Sequence, residues 1–416
     1  MPKSKEETAM TVSRIHELKD FYYRELTDDV LPFWLSHGID KEKGGLLDFL
    51  DRQGQPLSTD KGGWAQGRAT WIFSALYNDL EPRDTWLSAA RCCADFTRDK
   101  VLAGPEGRAY FELDRNGNPL VLRRYLFSEA FAIIGLAEYS KASGDSSYLR
   151  KAIDTLAVYD RFRGKLEPKI NPALRPMRGH SDTMIMINVF QVLRDADPEH
   201  ASIYSSRIQD RIEELFRYFV KPEKKVLLET VGPEGEITEG CEGRTINPGH
   251  IIETSWFLMS EAHFTGDKAL MKKAIDLLSW SLELGWDTEF GGLFSFLDAE
   301  GRQPAQIEWD MKYWWPHCEA IIATLMAYVL TKDRRWERWF ETIHEYTFSH
   351  FPDPVYGEWF GYLHRDGSIA NTVKGNHYKV CFHIPRCMLK VISLLDELPK
   401  DELSKEEVSD PILLRI

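Results

Sequence analysis

Six short stretches of this 416-residue chain concentrate the side chains that move protons or hold a polar ligand. Trp64 and Arg68 stand in WAQGR, Tyr125 and Glu129 in RRYLFSE, and His180 and Asp182 in RGHSD. Asn247, His250 and Glu253 stand in NPGHIIE. Asp310, Trp314, Trp315, His317 and Glu319 stand in WDMKYWWPHCE, and His377, Lys379 and His383 in GNHYKVCFHIPR. Imidazole takes and returns a proton near neutral pH, so histidine is the richest of these signals and suits proton transfer at carbon. His250 and Glu253 are one helical turn apart, and the spacing predicts a hydrogen bond through which the carboxylate orients the ring and raises its basicity. His383 lies between Phe382 and Ile384, a setting that core packing also explains. Arg68 reads equally as a surface cation, and Trp314 and Trp315 divide between core and pocket. The carboxylates Glu129, Asp182, Glu253, Asp310 and Glu319 support a rival chemistry, glycoside hydrolysis by a pair of acids. The histidines lack HxH, HxxxH or Cys/His spacing and no GxxxxGK[ST] loop is present, so neither a metal nor any other cofactor is expected.

These stretches need a scaffold that brings them to one place, and the chain repeats itself in a way that supplies one. A glycine-centred segment reads EKGGLLDFLDRQGQPL at 42–57, GPEGRAYFELDRNGNPLVL at 104–122, TEFGGLFSFLDAEGRQPA at 288–305 and DPVYGEWFGYLHRDGSIA at 353–370. Alternating apolar residues closed by an Asp/Arg/Asn/Gly turn are a β-hairpin pattern. Weaker copies at 164–172 and 225–237 complete six units of about 60 residues, a period that marks repeated supersecondary structure. Between hairpins the pattern becomes helical. One stripe carries Trp86, Ala89, Ala90, Cys93 and Phe96, and another Leu270, Ala274, Leu277 and Leu278. FSEAFAIIGLAEYS and HCEAIIATLMAYVL are apolar nearly all round, as inner helices of a ring would be. The expected fold is all-α, an (α/α)6 barrel with short β-hairpins between helix pairs. It forms one catalytic domain over 1–416 with loose ends at about 1–12 and 400–416. Each of the six stretches follows a hairpin and opens an inner helix, so all should converge at one end of the barrel, with His250 and His383 flanking one ligand.

Composition narrows the partners. The formal net charge of -13 disfavours nucleic acid and anionic lipid. The first twenty residues carry charges throughout and no apolar core, and no long apolar run follows, so neither a secretory leader nor a membrane span is expected. Six scattered cysteines without paired spacing read as reduced thiols of a cytoplasmic protein. The expected partner is a small sugar; a homodimer and a nucleotide effector are left open.

WAQGR (64–68), NPGHIIE (247–253), KYWWPHCEA (312–320), FPDPVYGEWFGYLHRDG (351–367) and CFHIPR (381–386) together resemble the N-acylglucosamine 2-epimerase family, over about 20–395. That family includes cellobiose and mannose 2-epimerases and aldose–ketose isomerases. The resemblance implies an (α/α)6 barrel, catalysis by His250 and His383, assistance from Arg68 and Glu253, and a sugar site shaped by Trp64 and Trp315. Tyr125, Asn247, Asp310, Trp314, Glu319 and Lys379 join the expected substrate-binding set. Cellobiose epimerases and the isomerases carry a further histidine on the third inner helix. TMIMINVF here lacks it, which favours a monosaccharide epimerase. The expected reaction is inversion at C2 of an open-chain aldose, N-acylglucosamine/N-acylmannosamine or glucose/mannose. One histidine removes the C2 proton, the other returns one to the opposite face, and Arg68 steadies the enediolate. The alternatives are an aldose–ketose isomerase, a non-catalytic partner-binding protein and an (α/α)6 glycoside hydrolase.

Overall fold

A computed structural model describes residues 10–398. The expected loose ends fall almost wholly outside those residues. Within them Met10 is already buried and the Thr11 side chain caps the first helix by accepting from the Arg14 amide at 3.2 Å. Among the described residues, twelve helices of 13 to 18 residues alternate between two layers. The outer layer comprises α1 (Val12–Arg24), α3 (Asp84–Asp99), α5 (Ser146–Phe162), α7 (Ala201–Glu214), α9 (Lys268–Gly285) and α11 (Arg334–His350). The inner layer comprises α2 (Gly63–Ala75), α4 (Phe127–Ser143), α6 (His180–Ala196), α8 (Pro248–Thr265), α10 (Trp314–Thr331) and α12 (His383–Asp396). Outer helices bury one stripe, as in α3, where Trp86, Ala89, Ala90, Cys93 and Phe96 face inward. Inner helices α4 and α10 are buried on every side, because they pack against outer helices on one flank and the barrel axis on the other. The ring closes where Trp71 of α2 meets Phe382 at the start of α12, ring centroids 5.7 Å apart.

Two close helix approaches prepare the site. A Cβ on Gly67 of α2 would lie 2.5 Å from the Phe131 carbonyl of α4, and one on Gly135 would lie 2.5 Å from the Gly67 carbonyl. Glycine at both positions lets the backbones touch and sets Arg68 against the Phe131 ring. Gly249 does the same for α8 and α10, since a side chain there would strike the Trp315 indole at 2.5 Å.

Short antiparallel strands join successive units. The strand entering α2 (Lys61–Gly62) pairs with the next unit's hairpin (Glu112–Leu113 and Pro119–Val121). The strand entering α10 (Lys312–Tyr313) pairs likewise with Tyr362–Leu363 and Ile369–Asn371. Across the closure, Leu50 of the first hairpin bridges Gly375 ahead of α12. The expected weak hairpin at 164–172 does not form. GKLEPKINP has two prolines and no alternation, and it runs as irregular turns to the strand Arg178–Gly179, which pairs with Thr230–Val231.

The same three junctions carry a repeated ionic clip. Asp40 accepts Lys61 Nζ at 2.9 Å and Arg115 at 2.9 and 3.1 Å. Asp287 accepts Lys312 Nζ at 3.0 Å and Arg365 at 2.9 and 3.3 Å. Asp353 lies 3.0 Å from Lys374 Nζ and accepts Arg52 at 2.8 and 2.9 Å. The arginine comes from a hairpin turn and the lysine from just before an inner helix, so each clip fixes an entry: Lys61 before Trp64 and Arg68, Lys312 before Trp314 and Trp315, Lys374 before His383. All three lysines are fully buried. Burial alone would raise the three carboxyls, but the paired cations outweigh it and hold each well below the usual carboxylate range. Groups held low in the fold contribute stability that is present above their ordinary pKa and lost only as the pH falls through the depressed folded value. Replacing Asp353 with Asn takes the carboxylate away from buried Lys374 and from Arg52, and leaves Lys374 to the Glu358 charge that Lys379 already engages. The expected loss is about 3 kcal/mol of unfolding free energy in urea titration, the cost of breaking a buried pair; a loss below about 1 kcal/mol, the scale of a surface pair, would contradict the role assigned to the clip.

Candidate active site

All six inner helices begin at one end of the barrel, and there they surround a cavity of about 500 Å³. Trp64 and Arg68 reach it from α2, Phe127 and Phe131 from α4, and Ser181, Met184 and Ile185 from α6. Asn247 precedes α8, which supplies His250 and Glu253; Trp314 and Trp315 come from α10, and His383 and Arg386 from α12. The α4–α6 side is apolar apart from Ser181, whereas titratable groups face it from α8 and α12.

His250 owes its position to the cap of α8. Asn247 Oδ1 accepts from the His250 amide at 3.2 Å, with Pro248 in the first turn, so the imidazole projects from the helix start. Its Nδ1 lies 3.0 Å from both carboxylate oxygens of Glu229, not against Glu253 as the spacing suggested. Glu253 instead accepts from Arg386 at 2.6 Å, because it lies a turn deeper in the floor, where that guanidinium needs a counterion. Burial alone would lower the His250 pKa. The Glu229 charge and hydrogen bond outweigh it, and the imidazole sits above its ordinary value.

His383 opens α12 and is treated in the opposite sense. Its Nδ1 lies 2.8 Å from Glu319 Oε1, but that oxygen also accepts Arg386 at 2.7 Å, and Oε2 accepts the Trp256 indole N–H at 2.8 Å. Burial, then the Arg386 and Arg68 cations, hold the His383 imidazole well below its ordinary pKa. The two rings share a neighbour: the Trp315 indole is 5.2 Å from His250 and 5.8 Å from His383, centroid to centroid. Both rings line the cavity with Nδ1 engaged by a carboxylate, which leaves Nε2 of each for a ligand.

Arg68 lies over Phe131 at 4.1 Å and donates through Nη1 to the Tyr378 carbonyl at 3.2 Å. Burial draws its pKa down to about 9, with Glu253 partly offsetting and Arg386 adding to the effect, so it stays cationic at neutral pH. One imidazole that favours its proton, one that disfavours it and a cation around one cavity can take a proton from one face of a carbon acid, steady the anion and return a proton to the other face.

Other expected site residues lie elsewhere. Glu319 is buried beneath the cavity and acts on His383 and Arg386 rather than on a ligand. Lys379 is fully buried in an ion pair with Glu358, turned away by the loop in which Asn376 caps its amide at 2.9 Å. Tyr125 packs behind Trp64, centroids 5.9 Å apart, and Asp310 lies in the turn before Lys312, outside the cavity lining. Glu129 accepts Ala109 N at 2.9 Å and pairs with Arg108, and Asp182 pairs with Arg163 at 2.8 Å. His317 accepts the Leu293 amide at 3.0 Å and donates from Nδ1 to Tyr313 at 2.6 Å, a structural pairing. His377 lies 3.2 Å from Glu112. Sequence reasoning missed Glu229 and Arg386. Arg386 was within reach, one turn after His383 in CFHIPR, whereas Glu229 sits in a bend between two short strands with no spacing to connect it to His250.

Comparison with known proteins places these features. A family model described as N-acylglucosamine 2-epimerase (GlcNAc 2-epimerase) matches residues 44–387. The chain is 40% identical over 389 residues to the N-acylglucosamine 2-epimerase of Bos taurus, covering 91% of this chain and 92% of that protein. It is 37% identical to the Homo sapiens protein of the same name, covering 89% and 88%. The solved cellobiose 2-epimerase of Bacillus thermoamylovorans superposes with a TM-score of 0.80 at 21% identity, covering 91% of this chain and 99% of that one, a likeness of fold.

Two trios at the site bring possible metal-donor atoms within 4.8 Å of one another: His180, Glu229 and His250, and Glu253, Glu319 and His383. In the second, Arg386 already supplies the cation that the carboxylates require. In the first, the two Glu229 oxygens already face His250 Nδ1. Dialysis against a strong chelator is therefore expected to leave the melting temperature unchanged. A fall of several degrees, reversed by one equivalent of a divalent ion, would contradict this assignment of the donors.

Proposed function

Since this chain belongs to the N-acylglucosamine 2-epimerase family and is a carbohydrate 2-epimerase, we propose that it interconverts N-acylglucosamine and N-acylmannosamine, with His383 and His250 as the two proton-transfer residues of a single catalytic unit. The observation that carries the mechanism is the unlike setting of two imidazoles sharing Trp315: Glu229 lies 3.0 Å from His250 Nδ1 and favours a proton there, whereas the carboxylate beside His383 is shared with Arg386, and burial, then two guanidinium groups, disfavour a proton on that ring.

In the open-chain sugar the C2–H bond lies next to an aldehyde. Neutral His383 takes that proton, and the C–H electrons become the C1–C2 double bond of an enolate whose O1 carries the negative charge. Arg68 supplies the fixed cation for that oxygen. Protonated His250 then delivers its hydrogen to the opposite face of C2, and the carbonyl re-forms with inverted configuration. The reverse reaction uses the same groups with their protonation exchanged. Trp315 and Trp314 give the sugar a flat wall, and Trp64 extends it beside Arg68. An acyl group at C2 is supported by the similarity to N-acylglucosamine epimerases, 40% against 23% for a cellobiose epimerase of Bacteroides fragilis. It is also supported by the apolar wall of Phe131, Met184 and Ile185, which suits an acyl methyl better than a hydroxyl.

A homodimer, a nucleotide effector and a cytoplasmic location belong to the same proposal. No described helix is long and apolar enough to cross a membrane. Sedimentation, and turnover with and without a nucleoside triphosphate, test the first two.

The reading is tested with N-acetylglucosamine, glucose, mannose and cellobiose in deuterated water, followed by proton NMR. The N-acetylated sugar is expected to turn over fastest and to give an aldose with deuterium at C2. A ketose as main product would identify an isomerase, and bond cleavage a hydrolase. The pH dependence follows from the same polarisation. The active free enzyme carries one proton, on His250. Thus kcat/KM should fall in acid as His383 is protonated, well below about 6.5, and in alkali as His250 loses its proton, above about 6.5. A profile with both limbs on the same side of that value would contradict the assignment.

A further inference from the structure

The proton transfers use His250 and His383 but leave a third imidazole beside them unexplained. His180, the first residue of α6, is fully buried. Its backbone N–H donates to the Glu229 carbonyl at 2.9 Å, so it is fixed next to the residue that orients His250. Its Nε2 is 3.1 Å from Thr254 Oγ1. The Thr254 hydroxyl has one hydrogen, and it is given to the His250 carbonyl at 2.7 Å. Thr254 must therefore accept from His180, and the His180 Nε2 carries a hydrogen. The other ring nitrogen, Nδ1, is buried without a hydrogen bond, and Glu229 Oε1 is 3.6 Å away. A neutral His180 would aim a lone pair at that carboxylate, and a protonated one an N–H. The contacts form a loop that starts and ends on His250: its Nδ1, the Glu229 carboxylate, the His180 ring, the Thr254 hydroxyl and the His250 carbonyl.

We propose that His180 is a positioning residue that shares the Glu229 carboxylate with His250 and so limits how firmly His250 holds its proton. The proposal rests on the two-histidine reading of the site. The other charged or titratable groups facing His250 are Glu253 on its own helix, Glu319 on α10 and His383 on α12. The first two are engaged by Arg386. His180 also packs against the apolar Phe219 ring, centroids 5.7 Å apart, and its ring centroid is 6.4 Å from that of His250. Glu229 is thus the one anion that both imidazoles meet directly. A general acid works best when its proton affinity matches the working pH. A carboxylate given wholly to His250 would hold the proton too tightly for ready transfer to C2. A carboxylate divided between two imidazole rings holds His250 less firmly while still fixing its Nδ1–H and leaving its Nε2 toward the cavity.

The test compares His180→Phe, His180→Gln and Glu229→Gln in the full-length protein, with two readouts: NMR titration of the His250 imidazole and the alkaline limb of kcat/KM. Both His180 variants remove the ring that shares the carboxylate, so both readouts should move to higher pH by about one unit, the scale of one close electrostatic partner. Glu229→Gln removes the anion and should move both to lower pH. A purely structural His180 would depress the rate without these opposed movements. An unmoved or lowered His250 titration in the His180 variants overturns the proposal, as does a limb that shifts on adding a chelator, because the same trio would then be holding a metal. If His180→Phe does not fold, His180→Gln carries the test. The NMR titration does not depend on turnover, so it stands even if the sugar panel shows a different substrate.

Discussion

A guanidinium in the middle of a ring of apolar helices must be matched by anions, and the arrangement of the site follows from how Arg386 is matched. Its Nη2 reaches Glu253 on α8 at 2.6 Å and Glu319 on α10 at 2.7 Å, while its own helix carries His383 one turn earlier. Three inner helices are thereby tied at one depth. The two carboxylates that simple spacing would give to a substrate are spent as counterions, and breaking such a buried pair is costly. The guanidinium also sets the chemistry above it. It competes with His383 for Glu319 and adds positive charge beside that ring, so His383 stays neutral. His250 faces a carboxylate that Arg386 does not engage, Glu229 at 3.0 Å, which raises its proton affinity. The asymmetry on which the proposed base and acid roles rest is therefore a property of the floor of the barrel.

The ionic clips do for the rim what Arg386 does for the floor. Each joins a hairpin turn of one unit to the strand that enters an inner helix of another, and the inner helices so fixed, α2, α10 and α12, carry Arg68, Trp315 and His383. The Asp353 clip reaches across the closure to Arg52, so the first and last units are held by the same chemistry as consecutive ones. The glycines at 67, 135 and 249 complete the positioning by letting backbone and indole surfaces meet without intervening side chains.

The fold was legible where the determinants are local. Alternation closed by a turn, and stripes such as Trp86, Ala89, Ala90, Cys93 and Phe96, report their own structure. Their recurrence reports the ring, and the segment at 164–172 failed as a hairpin because its prolines offer no alternation. The site was legible as residue types near helix starts, and WAQGR, NPGH and CFHIPR do bring Trp64, Arg68, Asn247, His250 and His383 to one cavity. Pairings between the hairpin segments and the helix starts were not. Glu229 reaches His250 because its amide donates to the Thr245 carbonyl at 3.1 Å, on the strand that leads into α8, a contact that no spacing reveals. Lys379 is near His383 in sequence but faces Glu358, because the turn capped by Asn376 reverses the chain between them. The arginines in DRQG, DRNG and HRDG were visible as turn residues, yet their partners lie in other units.

The central claim is that His250 and His383 address opposite faces of one carbon. The most direct measurement is exchange of the C2 hydrogen in deuterated water by His250→Asn and His383→Asn, each supplied separately with N-acetylglucosamine and with N-acetylmannosamine. Each variant should be unable to invert C2 but should still wash out the C2 hydrogen of one epimer, and the two variants should do so for different epimers. If one variant exchanges both epimers, or if both variants invert C2 at near-normal rates, the two-face account is wrong.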